Sequence, residues 1–175
     1  FLGVYAGATT RTESTSISYK IKQFIKRLID LVLAFLLLFF LSPLVWLIAV
    51  IIRIQSSGSV FYWTPRVGQF GEPVRALYFR TMYEEPREGR PKIGQFLYQT
   101  RLNRIPLLWN IVMGEMSLIG PMLRPSESQE NTLDAERKIL TVKPGIMGPV
   151  QNLRHDVLED MRIEDIIAIE LSYIE

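Results

Sequence analysis

A chain of 175 residues has room for one domain with a real core and too little for two comfortable ones; with no cysteine and a lone His155 it excludes disulfides, thiolate metal sites and imidazole clusters. Its net charge of +2 hides an asymmetry, since Arg66 to Arg104 carries eight basic residues against four acidic ones, and Glu127 to Glu175 eleven acidic against five basic. The basic half is suited to phosphate or lipid headgroups and the acidic half to water.

The first residue is Phe1 and not methionine, so a processed product or a fragment lacking an upstream part is expected, with residues 1–19 as a flexible arm or the end of that part. Residues 20–55 form the next unit. From Leu31 to Ile52 there are 22 residues without a charge, interrupted only by Ser42 and Pro43. A stretch of that length and composition belongs in a membrane, and because it passes directly into Arg53 and a domain-like sequence it is retained and not cleaved.

Two geometries fit this segment. As one helix, 22 residues reach about 33 Å, enough to span a hydrocarbon core. Pro43 sits at the midpoint, however, lacks an amide hydrogen and clashes with the carbonyl of Phe39, and Ser42 can return its hydroxyl to the carbonyls freed one turn back. A helix broken there has two halves of about ten residues, each too short to cross alone. The flanks agree with a re-entrant path, because Lys20, Lys22, Lys26 and Arg27 precede the run and Arg53 follows it, which puts the cytoplasmic charge signature at both ends. Asp30, beside Lys26 and Arg27, is read as a member of an interfacial ion pair, with pinning of the hairpin as the other role.

Residues 56–175 form a cytoplasmic domain. Val60 to Trp63 reads as a strand or an interfacial aromatic patch, Gly68 and Gly71 bracket a turn, and Val74 to Phe79 supplies the returning strand of a hairpin. Glu84 to Pro91 reads as a solvated loop. From Ile93, Phe96, Leu97, Leu102, Ile105, Leu108, Trp109 and Val112 recur at helical spacing up to Gly114, giving either a core helix or one lying in the membrane interface with Arg101 and Arg104 at the headgroups. Ser117 to Pro121 and Pro144 to Pro149 read as tight turns, and Val157 to Ile174 as an amphipathic helix. The class is α+β, mostly helical: a re-entrant membrane hairpin followed by a small membrane-associated domain.

Taken together, KRLIDLVLAF and LSPL in the anchor, RVGQFGEP and FRTM after it, LNRIPLLWNIVMGEMSLIGP, VKPGIMG and a closing LSYIE resemble the bacterial sugar transferase family, the monotopic polyprenyl-phosphate phosphoglycosyl transferases. The resemblance covers Lys26 to Glu175, favours the re-entrant geometry and implies a bacterial inner membrane with the domain on the cytoplasmic side. It implies transfer of a sugar 1-phosphate from a nucleotide diphosphosugar to polyprenyl phosphate in exopolysaccharide or glycoconjugate synthesis. An aspartate nucleophile would form a covalent phosphosugar and the adjacent glutamate would help to hold Mg²⁺.

The sequence departs from the family at that pair. Leu102, Asn103, Arg104, Ile105 and Pro106 stand where the pattern has leucine, aspartate, glutamate, an apolar residue and proline. Further departures are Thr64 for glutamine, Tyr78 for lysine and Met122 for arginine. A neutral amide is no nucleophile toward phosphorus, and a guanidinium repels a divalent cation. The expectation is therefore a family member without transfer chemistry, acting as a binding or structural membrane subunit with a protein partner, the bilayer and polyprenyl phosphate. The alternative is an active phosphotransferase with non-standard residues. Phosphate-binding candidates are Arg66, Arg80, Lys143 and Arg154; Glu115 is a weak metal candidate; Ser42, Pro43, Lys26, Arg27 and Asp30 are the anchor residues. No cofactor is expected, or Mg²⁺ if the chain is active, and no nucleic acid.

Overall fold

A computed structural model describes residues 6–55, 58–82, 91–125, 134–153, 157 and 160–174, and over half of the described residues are helical. In chain order the elements are α1 (Ala6–Gln55), β1 (Phe61–Val67), β2 (Pro73–Phe79), α2 (Lys92–Gln99), α3 (Leu107–Met113), β3 (Ser117–Ile119), β4 (Arg124–Pro125), α4 (Asp134–Ile139), β5 (Gly145–Met147) and α5 (Ile163–Ile174). Short 3-10 turns occupy Gln69–Gly71 and Leu102–Arg104.

α1 is a single helical element that continues through Ser42 and Pro43, and the residues expected to be an N-terminal arm are helical from Ala6 onward. The helix tolerates its proline by a local substitution. Without an amide hydrogen Pro43 leaves the Phe39 carbonyl unpaired, and the Ser42 hydroxyl donates to that carbonyl at 2.7 Å.

One stripe of α1 is turned to the domain. Asp30, Ala34, Leu38, Leu41, Leu44, Ile48 and Ile52 recur every three or four residues and are buried or half-buried. Ala34 joins a core with Leu107, Leu108, Ile111 and Ala76, while Ile48 and Ile52 join a second with Phe79 and Leu97. The anchor thus contributes side chains to both hydrophobic clusters of residues 56–175. Its other faces have the opposite character: fifteen large apolar side chains between Ile21 and Ile54 are exposed. At about 1 kcal/mol for each half-exposed group, holding that surface in water would cost about as much as the whole folding stability of an ordinary domain. Residues 20–55 are also the one described segment long and apolar enough to cross a membrane.

The contacts at the start of the apolar run correct the reading of Asp30. Its carboxylate is buried and accepts hydrogen bonds from Ser117 Oγ (2.7 Å) and the Leu118 amide (3.2 Å), turning toward the domain and away from an interfacial ion pair. Lys26 and Arg27 grip the same region, donating to the carbonyls of Ile119, and of Val112 and Met116. At the other end Arg53 donates to the Gly58 carbonyl at 3.0 Å.

β1 and β2 form the expected hairpin, in register from Phe61 opposite Phe79 to Val67 opposite Pro73, and β4 adds to the far edge of β1. Phe70 at φ 57 and Gly71 at φ 81 close the turn, with the Gly68 amide donating to the Glu72 carbonyl at 2.7 Å. The two tight turns expected at Ser117–Pro121 and Pro144–Pro149 are instead partly extended: β3 and β5 pair in parallel. Glycine permits this pairing, because a Cβ on Gly145 would lie 2.1 Å from the Gly120 nitrogen and one on Gly120 would lie 2.4 Å from the Lys143 oxygen.

The long helix expected from Ile93 to Val112 is two helices. Arg101 takes a left-handed φ of 60, and Pro106 has no amide to offer the Leu102 carbonyl, which accepts from Ile105 instead. This break sets Asn103 and Arg104 on a turn between α2 and α3. The segment expected to be helical from Val157 is helical at Val157 and Asp160, is interrupted at Met161 and Arg162, and continues as α5 from Ile163. The loop read at Glu84–Pro91 lies outside the described residues except for Pro91.

Candidate functional site

The hairpin, the turn after α2 and the β3–β5 junction enclose a cavity of about 580 Å³. Strand alternation aims Thr64 and Arg66 of β1 at it, together with Tyr78 from the paired strand and Arg80 just beyond it. The Leu102–Arg104 turn contributes Asn103 and Arg104, and Gln151 closes the side beneath Gly145.

Three guanidiniums, those of Arg66, Arg80 and Arg104, therefore line one cavity, and among the described residues that line it there is no aspartate or glutamate. Arg66 lies beside Tyr78, and its buried Nε has no hydrogen-bond partner. Burial is also the leading influence on Tyr78, raising its hydroxyl above the ordinary tyrosine value against the opposing charges of Arg66 and Arg104. Burial likewise lowers the pKa of Arg104, and Arg101 and Arg66 act in the same direction, but a guanidinium stays charged at any working pH.

The five positions at which the sequence departs from the resembled pattern meet here: Thr64, Tyr78, Asn103, Arg104 and Met122 all line this cavity, from four separate parts of the chain. The remaining candidates are elsewhere. Lys143 donates to the Gly114 carbonyl at 2.7 Å beside the α1 junction, where burial and the Arg27 charge lower its pKa and Asp30 partly offsets them. Arg154 lies outside the described residues. Glu115 does not line the cavity; it accepts from Asn110 Nδ2 at 2.6 Å.

Among the described residues that line the cavity there is no carboxylate to serve as a ligand for a divalent cation. Magnesium takes carboxylate and phosphate oxygens, whereas the two positions of the family's acid pair offer an amide and a fixed positive charge. Among the described residues there is no group of three or more histidine, aspartate or glutamate side chains placed to hold a metal.

Two polar residues of the cavity escaped the sequence reading. Tyr98 was hidden in a run read only for its apolar period. Gln151 is buried, donating to the carbonyls of Gly120 and Gly145 at 3.2 Å each, with its Oε1 unpartnered; the signal available was a polar amide just after the Gly148–Pro149 step. Asn110, also buried, is structural: it accepts from the Leu77 amide and donates to the Arg75 carbonyl, tying α3 to β2 beneath the site.

A sequence model of a family described as bacterial sugar transferase matches residues 21–175. Among similar proteins, the UDP-glucose:undecaprenyl-phosphate glucose-1-phosphate transferase of Escherichia coli is 31% identical over 176 residues, covering 88% of this chain and 37% of its own length. The exopolysaccharide production protein ExoY of Sinorhizobium fredii is 32% identical over 179 residues, covering 86% of this chain and 76% of its own. The undecaprenyl-phosphate glucose phosphotransferase of Komagataeibacter xylinus is 35% identical over 118 residues, covering 59% and 21%. The chain thus spans little more than a third of the Escherichia coli relative and three quarters of ExoY.

Proposed function

The chain belongs to the bacterial sugar transferase family, and from that premise we propose that it is a membrane-bound member which binds a phosphorylated ligand of the family's reaction without carrying out phosphosugar transfer. The ligand would be a nucleotide diphosphosugar or a polyprenyl phosphate, the two kinds of molecule named in the relatives' activities. The observation that carries this reading is the convergence of Thr64, Tyr78, Asn103, Arg104 and Met122 on a single cavity. Scattered drift would not fall on one surface. Covalent transfer needs a nucleophile for the phosphorus, and the amide of Asn103 is not one. The surrounding guanidiniums keep the capacity to bind an anion.

The anchor is read as re-entrant, with the domain on the cytoplasmic face of a bacterial inner membrane. In support, both ends of the apolar run dock on the same domain: Asp30 on Ser117 and Leu118, Ile52 in the core of Phe79 and Leu97, Arg53 on Gly58. A spanning helix would carry one end away from it. A protein partner fits the exposed aromatic groups Phe61, Trp63, Phe96 and Trp109, which the bilayer itself could equally cover.

A transfer assay decides the matter. Purified chain is supplied with a panel of radiolabelled diphosphosugars, polyprenyl phosphate and Mg²⁺, and both lipid product and protein-bound label are followed. Neither is expected. Turnover that Asn103→Ala abolishes, or a phosphosugar adduct on the chain, would overturn the reading.

A further inference from the structure

We propose that Lys26, Arg27 and Lys143 form a headgroup site for an anionic phospholipid of the surrounding bilayer, gripping its phosphodiester where the anchor enters the membrane. The three cations come from two distant parts of the chain and meet through the carbonyls they hold. Lys26 donates to Ile119, Arg27 to Val112 and Met116, and Lys143 to Gly114. Neutral carbonyls fix the cations in place without cancelling their charge, and each ammonium commits only one of its three hydrogens to them. Two carboxylates of the same region are held by neutral donors, Asp30 by Ser117 and the Leu118 amide and Glu115 by Asn110. At Lys143, burial and the repulsion of Arg27 outweigh the attraction of Asp30 and lower its pKa, a balance that an arriving phosphate would reverse.

Position decides which anion arrives. Lys26 and Arg27 lie about one turn before Leu31, where the uncharged run begins, so they stand at headgroup depth whether the anchor spans or returns. The carbonyls gripped there adjoin exposed apolar side chains: Met113 lies between Val112 and Gly114, Ile119 supplies its own carbonyl, and Met147 pairs with Ile119 across β3 and β5. Each of the three is more than half exposed. Cations for a phosphate with apolar surface alongside for acyl chains suit a lipid better than a free anion. None of Lys26, Arg27 and Lys143 lines the cavity, so this site stands whether or not the chain transfers phosphosugar.

The full chain in an uncharged detergent is titrated separately with phosphatidylglycerol, phosphatidylcholine, a short-chain polyprenyl phosphate and inorganic phosphate, with thermal unfolding and native mass spectrometry of retained lipid as readouts. Phosphatidylglycerol is expected to raise the melting temperature saturably and to stay bound at one molecule per chain, and phosphatidylcholine to do neither. The double variant Lys26→Gln and Lys143→Gln keeps both hydrogen-bond donors and removes both charges. It should bind phosphatidylglycerol about 30-fold more weakly, about fivefold for each cation, while its lipid-free melt and elution match the parent. Lys26→Gln alone, at an exposed position, carries the same test with about fivefold weakening if the double variant does not fold. Lys92→Gln, at an exposed position of α2, should bind as the parent does. Binding unchanged in the folded Lys26 variants, an equal loss in Lys92→Gln, an equal response to phosphatidylcholine, or a stronger one to polyprenyl phosphate or inorganic phosphate overturns the phospholipid site.

Discussion

Replacing Asp30 by alanine removes the acceptor that joins the start of the apolar run to the domain. Two hydrogen bonds to a buried carboxylate are lost, from Ser117 Oγ at 2.7 Å and the Leu118 amide at 3.2 Å, and the amide is left without a partner. Hydrogen bonds to charged groups are worth about 1.5–3 kcal/mol each, partly offset here because burying the carboxylate is itself costly. A net loss of about 2–4 kcal/mol follows, and for a chain of this size that lowers the melting temperature by about 4–16 °C. The assay is a double-mutant cycle of Asp30→Ala and Ser117→Ala by thermal unfolding in mild detergent, with hydrogen exchange followed at residues 117–119. The two changes should be non-additive by about 1–2 kcal/mol, since each removes the same bond. Exchange at the Leu118 amide should rise in Asp30→Ala. Additive effects with unchanged exchange would refute the account of Asp30 as the tie between helix and domain.

Gly145→Ala places a methyl group 2.1 Å from the Gly120 nitrogen, so a loss of about 3 kcal/mol or failure to accumulate is expected in an expression and melting comparison, whereas an unchanged melt would contradict the close pairing of β3 and β5. Because the chain has no cysteine, single cysteines at Lys20 and Gln55 can be labelled in intact cells and in inverted vesicles; the re-entrant anchor requires both to react from the cytoplasmic side only, and opposite-side labelling would establish a spanning helix. Tyr78→Phe should delete one alkaline-shifted component from the ultraviolet titration of the seven tyrosines. Because burial raises the folded pKa, only the unfolded chain loses this proton just above pH 10; the stability tied to Tyr78 is intact below that pH and declines as pH rises through the window, and in Tyr78→Phe this part of the decline should be absent.

What could be read before folding followed the strength of local rules. The β1–β2 hairpin was legible because Gly68 and Gly71 mark a turn between two alternating segments, and the anchor because 22 uncharged residues admit few other meanings. The break between α2 and α3 was not, although Pro106 was in view, since the apolar period runs straight across Leu102 and Ile105. Pairing of β3 with β5 depends on contacts between segments nearly thirty residues apart, which no local pattern encodes. At the site, Arg66, Arg80, Asn103 and Arg104 were identified individually, but their shared cavity comes from tertiary packing, which also drew Lys143 away to the Gly114 carbonyl. Asp30 was misjudged because its near neighbours in sequence are cations, while its partners lie 87 and 88 positions downstream.

The stripe of α1 that completes both hydrophobic clusters has a practical implication for anyone wishing to simplify this molecule. Cutting the chain at Gly58 would not liberate a water-soluble half; it would strip Phe79, Leu97, Leu107 and Ile111 of the neighbours that cover them. Grafting on an unrelated lipid tether would fail for the same reason, because what the hydrophobic segment supplies is shape as well as attachment.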